Sequence, residues 1–174
     1  MQYRHHWAYP PTHPRYRQEW PAILADTRRI IDRARAAGIV IAGPDGRRSP
    51  VIDPADGVGF NGDATTDLDG DPFTLLAPMR MLPAGKHPTA SASCRTNRKP
   101  YDLAVASVLL RCHLLLPDLF GIGSDGRWDV EWASGQTPRP ARPGPPLSAR
   151  RLVADLFDTA AVDDPLRPMP DPPP

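Results

Sequence analysis

The densest polar stretch of the 174-residue chain is Asn61-Gly62-Asp63-Ala64-Thr65-Thr66-Asp67-Leu68-Asp69-Gly70-Asp71. Carboxylates at Asp67, Asp69 and Asp71 are the ligand type that Mg2+, Mn2+ or Ca2+ demands. The spacing departs from a helix-loop-helix calcium loop, because no Glu closes it and Pro72-Phe73 returns the chain to apolar character. The stretch reads either as a metal site or as a solvated acidic turn between two strands.

A second knot is basic: Cys94-Arg95-Thr96-Asn97-Arg98-Lys99-Pro100-Tyr101-Asp102 runs straight into an apolar segment. Backbone N–H groups at a helix start favour anions, and Arg95, Arg98 and Lys99 strengthen that preference. Phosphate or a nucleic-acid backbone is the ligand this chemistry suits, with Asn97 and Tyr101 beside it. The plainer alternative has Asn97 or Thr96 capping the helix while the basic side chains pair with the acidic turn. Within the helix, Arg111 shares a stripe with Ser107; facing a cleft it is an anchoring guanidinium, and at the helix edge it is ordinary.

The third cluster is Ser124-Asp125-Gly126, followed by Trp128 and Trp132. Asp and Gly are turn residues by local bonding and backbone freedom. Each polar stretch sits at the end of an expected strand or helix, so Asn61, Asp63, Ser124, Asp125 and Trp128 are expected to share one rim with the basic knot.

No phosphate-loop pattern, dinucleotide-binding glycine fingerprint or nucleophile-elbow motif is present. Cys94, Cys112 and His113 lack zinc-site spacing. Cys112 and His113, adjacent on a helix, point about 100° apart, which is poor geometry for a nucleophile and its base. No catalytic residue is assigned, and no cofactor is expected.

The elements that must position these groups follow from periodicity. Residues 1–20 interleave Tyr3, His5, His6, Trp7, Tyr9, His13, Tyr16 and Trp20 with prolines, which predicts an extended strap docked by its aromatics and excludes a helix. Helical spacing then predicts a surface helix over 21–37, with Pro21 in its first turn and Gly38 past its end. A hairpin is expected over 39–52 around Gly43-Pro44-Asp45-Gly46, with further strands at 58–61 and 73–76. Residues 77–97 read as a long loop. A helix over 100–116, apolar nearly all round, belongs in the centre of the fold. A strand at 119–123, a short helix near 128–133, a proline-rich linker at 136–146, a helix within 147–160 and a disordered tail from 161 complete the reading. Strands clustered before the second helix make the class α+β, with a small, mainly antiparallel sheet of four to five strands and a single domain at 21–135.

Phe60-Asn61-Gly62-Asp63, then Asn97-Arg98-Lys99-Pro100-Tyr101-Asp102, then Gly123-Ser124-Asp125-Gly126 and Trp128 resemble a group of small uncharacterised bacterial proteins of the GC-rich actinobacterial type. In that group a Lys-Thr-Ala-Arg-Lys-Pro-Tyr-Asp-like stretch precedes an apolar helix and a Ser-Asp-Gly turn. The likeness covers about residues 22–134 and departs at Thr96-Asn97. It implies a discrete domain and carries no activity with it.

Composition narrows the function class. Hydrophobic residues at 40% suffice for one ordinary core. A net charge of +1 argues against a general coat for nucleic acid or anionic membrane. That sum hides alternation: residues 1–50 carry nine arginines against four acids, and residues 51–93 carry two basic side chains against six acids. No apolar run is long enough to span a bilayer. Two cysteines and no charged-then-apolar leader point to a reducing cytoplasm. The leading expectation is a non-catalytic binding or accessory module that meets a protein or nucleic acid through the basic knot and aromatic strap. Its rival is a metal-dependent phosphoester enzyme using Asp67, Asp69 and Asp71.

Overall fold

A computed structural model describes residues 2–80, 85–134, 147–159 and 163–167. The fold is α+β. A four-stranded sheet is built from β1 (Arg4–Tyr9), β5 (Ala90–Arg95), β6 (Gly121–Ser124) and β7 (Leu166–Arg167), in the order β5-β1-β6-β7. Its pairs are antiparallel except β6 with β7. A separate antiparallel meander joins β2 (Val51–Asp53), β3 (Gly57–Phe60) and β4 (Phe73–Leu75).

The N-terminal segment is not a strap. Arg-His-His-Trp-Ala-Tyr alternates strictly, burying His5, Trp7 and Tyr9 and leaving Arg4, His6 and Ala8 half-buried, which is the period-2 pattern of a strand with one face on a core. It occupies an interior position of the sheet. Nor do the prolines exclude a helix, since α1 spans Pro14–Ala36. Pro14 stands in the first turn, where a backbone N–H has no intrahelical partner to lose. The helix continues through Pro21, and burial of Tyr16, Trp20, Ile23, Leu24, Ile30 and Ile31 along one stripe outweighs the bond that Pro21 cannot give.

Other boundaries also moved. Ile39–Ala42 does not pair with β2; it contributes one bridge, Ala42 with Asn61, while β2 turns back directly onto β3 through Asp53, whose carboxylate accepts the Ala55 and Asp56 N–H groups. The long loop expected over 77–97 contains β5. Ala-Ser-Ala-Ser has little strand preference of its own, and β1 supplies the pairing that makes it one. Residues 163–167 of the expected disordered tail include β7. The linker at 136–146 and the remainder of the tail lie outside the described residues.

The central helix α2 (Asp102–Leu115) buries ten of its fourteen residues. It packs on α1, on β6 and on α4 (Ala149–Phe157); a short α3 (Glu131–Ser134) follows β6. Among the described residues no helix is long and apolar enough to cross a membrane.

Candidate functional site

The three polar stretches meet at the start of β1 and the start of α2. Asn61 closes the acidic loop on itself: its Oδ1 accepts from Gly62 N at 2.8 Å and Gly70 N at 3.0 Å, and its Nδ2 donates to Gly70 O at 3.0 Å. Gly70 permits the loop to touch the knot, because a Cβ there would sit 2.5 Å from both Arg95 O and the Tyr101 hydroxyl.

Charge then joins loop to knot. Arg95 Nε donates to Asp71 Oδ2 at 2.9 Å, and Arg95 N donates to the same oxygen at 3.1 Å; the guanidinium bond holds the Asp71 carboxyl below its ordinary range despite an opposing push from burial. Lys99 Nζ donates to Asp69 O at 2.6 Å and lies 3.4 Å from an Asp67 carboxylate that reaches into solvent. The buried Tyr101 ring donates its hydroxyl to Asp71 O at 2.8 Å. The Asp71 carboxylate is thus taken by Arg95 and that of Asp67 faces Lys99, while Asp69 meets Lys99 through its backbone carbonyl. Among the described residues no three His, Cys, Asp or Glu side chains are grouped as ligands for a metal ion.

Neither Asn97 nor Thr96 caps α2. Asn97 adopts a left-handed backbone, φ 49°, which Asn tolerates better than most residues, and clamps the start of β1. Its Oδ1 accepts from Tyr3 N at 3.3 Å, and its own N–H donates to Tyr3 O at 3.0 Å. On the other side of β1, Asp125 does the same for Arg4: carboxylate to Arg4 N at 3.0 Å, and Asp125 N to Arg4 O at 3.0 Å. Arg98 lies over the Tyr3 ring, 4.7 Å from its centroid, and 3.4 Å from Glu131. Ser124 Oγ accepts from Gly126 N and Trp132 Nε1. Trp128 is buried beneath the Arg150 guanidinium at 4.4 Å.

Two candidates lie elsewhere. Asp63 caps the 3-10 turn Ala64–Thr66 through Thr65 N at 2.9 Å. Arg111 is not a ligand anchor: its Nε donates to Asp26 Oδ2 at 2.7 Å and its guanidinium covers Phe157 at 4.2 Å, so it ties α1, α2 and α4 together.

Sequence reasoning missed the buried polar centre beneath this rim. His5, fully buried, donates Nε2–H to Asp102 Oδ1 at 2.8 Å, and the Thr96 hydroxyl donates to the same oxygen. Pairing places Cys94, His5 and Ser124 in one row on the inner face of the sheet. Rings at every second position, Tyr3, His5, Trp7 and Tyr9, were the available signal. Burial pushes the Cys94 thiol up to about 12, so it stays protonated and is a poor nucleophile. Burial likewise raises the Cys112 thiol. His6, on the opposite face, lies so flat on Gly123 that a Cβ there would fall 1.8 Å from its Cε1; burial, then the nearby Arg4 charge, lowers its pKa.

The rim is therefore a mutually satisfied set of ion pairs and backbone clamps, with Arg95 and Arg98 each about half exposed. Comparison with protein-family models, with curated proteins and with solved structures finds no match for the chain.

Proposed function

We propose that the protein is a binding or accessory module that holds a protein or nucleic-acid partner against the basic rim and the adjoining outer face of the four-stranded sheet. The observation that supports this reading is the sidedness of that sheet. Its inner rows carry Cys94-His5-Ser124 and Ala92-Trp7-Ile122-Leu166 toward the core. Its outer rows carry Arg95-Arg4, then Ser93-His6-Gly123-Arg167, then Ser91-Ala8-Gly121. Cys94, His5 and the large apolar side chains are turned inward, whereas His6, the arginines, Ser91 and Ser93 face outward beside glycine and alanine. Arg4 and Arg167 have no ion-pair partner among the described residues, so an incoming anionic group meets positive charge not already neutralised. The aromatic residues of the N-terminus are not part of this surface, because Tyr3, Trp7, Tyr9, Tyr16 and Trp20 are core. A cytoplasmic location belongs to the same proposal, supported by two free, buried cysteines.

The test is fluorescence anisotropy with single-stranded RNA and DNA, alongside cross-linking capture of proteins, for the native chain and Arg4→Glu/Arg167→Glu. Binding that weakens with salt and is lost in the variant is the expected outcome. Binding that survives both reversals, at unchanged thermal stability, would remove the outer face from consideration.

A further inference from the structure

We propose that a second, separate site, the cleft between α1 and β2, binds a phosphorylated sugar, with the phosphate on Arg28 and Arg35. The cleft encloses about 310 Å3, at the small end of the range for small-molecule sites. Arg28, Ile31, Asp32 and Arg35 fall on one stripe of α1, since steps of three, four and seven residues return to the same side of a helix. Ser49 and Ile52 form the facing wall.

Both guanidiniums are held by backbone carbonyls and not by carboxylates. Arg28 Nη2 donates to Ile52 O at 2.7 Å, and Arg35 Nη2 donates to Ile41 O at 2.9 Å. A carbonyl fixes the direction of a guanidinium and leaves its remaining N–H groups and its full charge for a ligand. Neither arginine has an ion-pair partner among the described residues. Asp53 feels the charge of Arg28, but its carboxylate is spent on the Ala55 and Asp56 N–H groups of its own turn. At the rim the opposite holds, where Arg95, Arg98 and Lys99 each face an acid.

The other walls say what the phosphate is attached to. Asp32 lines the same cleft and has no ion-pair partner among the described residues. Its carboxylate repels a bare anion and accepts hydroxyl hydrogens, so it suits neighbouring hydroxyl groups on a sugar. Ser49 adds a hydroxyl, and the partly exposed Ile52 supplies an apolar patch for the C–H face of the ring. Dianion, hydroxyls and C–H face together are the chemistry of a sugar phosphate. This site is independent of the rim and of the outer sheet face.

Calorimetric titration of the full chain with ribose 5-phosphate, ribose and inorganic phosphate tests it. Ribose 5-phosphate is expected to bind tighter than inorganic phosphate, and ribose not measurably. Arg28→Gln/Arg35→Gln is expected to weaken the sugar phosphate by about tenfold or more, which is about 1.4 kcal/mol or more, while Arg28→Lys/Arg35→Lys retains part of the affinity. Asp32→Asn is expected to weaken ribose 5-phosphate and leave inorganic phosphate as tight or tighter. Circular dichroism and thermal midpoints check that each variant folds. No saturable binding of ribose 5-phosphate, or affinity unchanged by the Gln pair in a folded protein, overturns the site. Equal affinity for the two phosphates with Asp32→Asn indifferent overturns its assignment to a sugar.

Discussion

Asp102 shows how much one side chain can organise. Its Oδ1 receives both His5 Nε2–H and the Thr96 hydroxyl, and all three residues are buried. Removing the acceptor leaves two buried donors unpaired, at about 1–3 kcal/mol for each, or about 2–6 kcal/mol together. Asp102→Ala is therefore expected to lower unfolding free energy by about that amount in urea titrations; a loss under about 1 kcal/mol, the size of an exposed pair, would mean the network is not holding the rim in place. At this scale the sequence was informative where chemistry is local. Asp71, Lys99 and Asn61 were singled out by type, and they do touch one another's segments. His5 was not, because an imidazole among aromatics and prolines gives no sign of a partner 97 positions away.

At the scale of elements, the start of α1 carries a pH-sensitive contact. His13 caps the helix through Nδ1, which accepts from Arg15 N at 3.1 Å, and its ring lies 4.9 Å from that of His87. Desolvation, then the neighbouring His87 and Arg15, hold the His13 pKa below 6.5. A protonated imidazole has no lone pair to accept with, so the cap belongs to the neutral form. Its contribution is complete above the unfolded-state value and is lost as pH falls through the lower folded value. Amides in the first turn of α1 are expected to lose hydrogen-exchange protection between neutral and mildly acidic pH, and His13→Asp, which keeps an acceptor and stays ionised, is expected to abolish that dependence. The same pH profile in the variant would assign the effect to other histidines. This region was also where periodicity misled: Pro10, Pro11 and Pro14 read as barriers, yet the pairing of β1 with two neighbours lies before them and Pro14 sits where a helix accepts it. β5 was illegible for a related reason, since its strand character comes from its partner and not from Ala and Ser.

Across the whole molecule, α4 and β7 are tied back to the elements that precede them. β7 extends the sheet that β1 organises, and α4 is held by Phe157, which lies between Arg29 at 4.8 Å and Arg111 at 4.2 Å, with Arg111 in turn on Asp26. The apolar character of α2 made its central place legible in the sequence, but no pattern near Arg111 indicates a partner on two other helices. Because Phe157 is half-buried and each cation–π contact adds about 0.5–1 kcal/mol, Phe157→Ala is expected to cost about 2 kcal/mol. The loss falls on one element and not on the core, so it should appear first as local opening of α4. Trypsin is the direct probe, as Arg150 and Arg151 lie within that helix. In the native chain these bonds are expected to resist cleavage; in Phe157→Ala they are expected to be cut before the global thermal midpoint falls far, whereas Arg111→Met, which also leaves the Asp26 carboxylate without its partner, is expected to expose the bonds and lower that midpoint together. Equal trypsin resistance in both variants would show that α4 is held by Leu152 and Val153, its two fully buried apolar side chains, and that the arginine clamp around Phe157 contributes little to closing the fold.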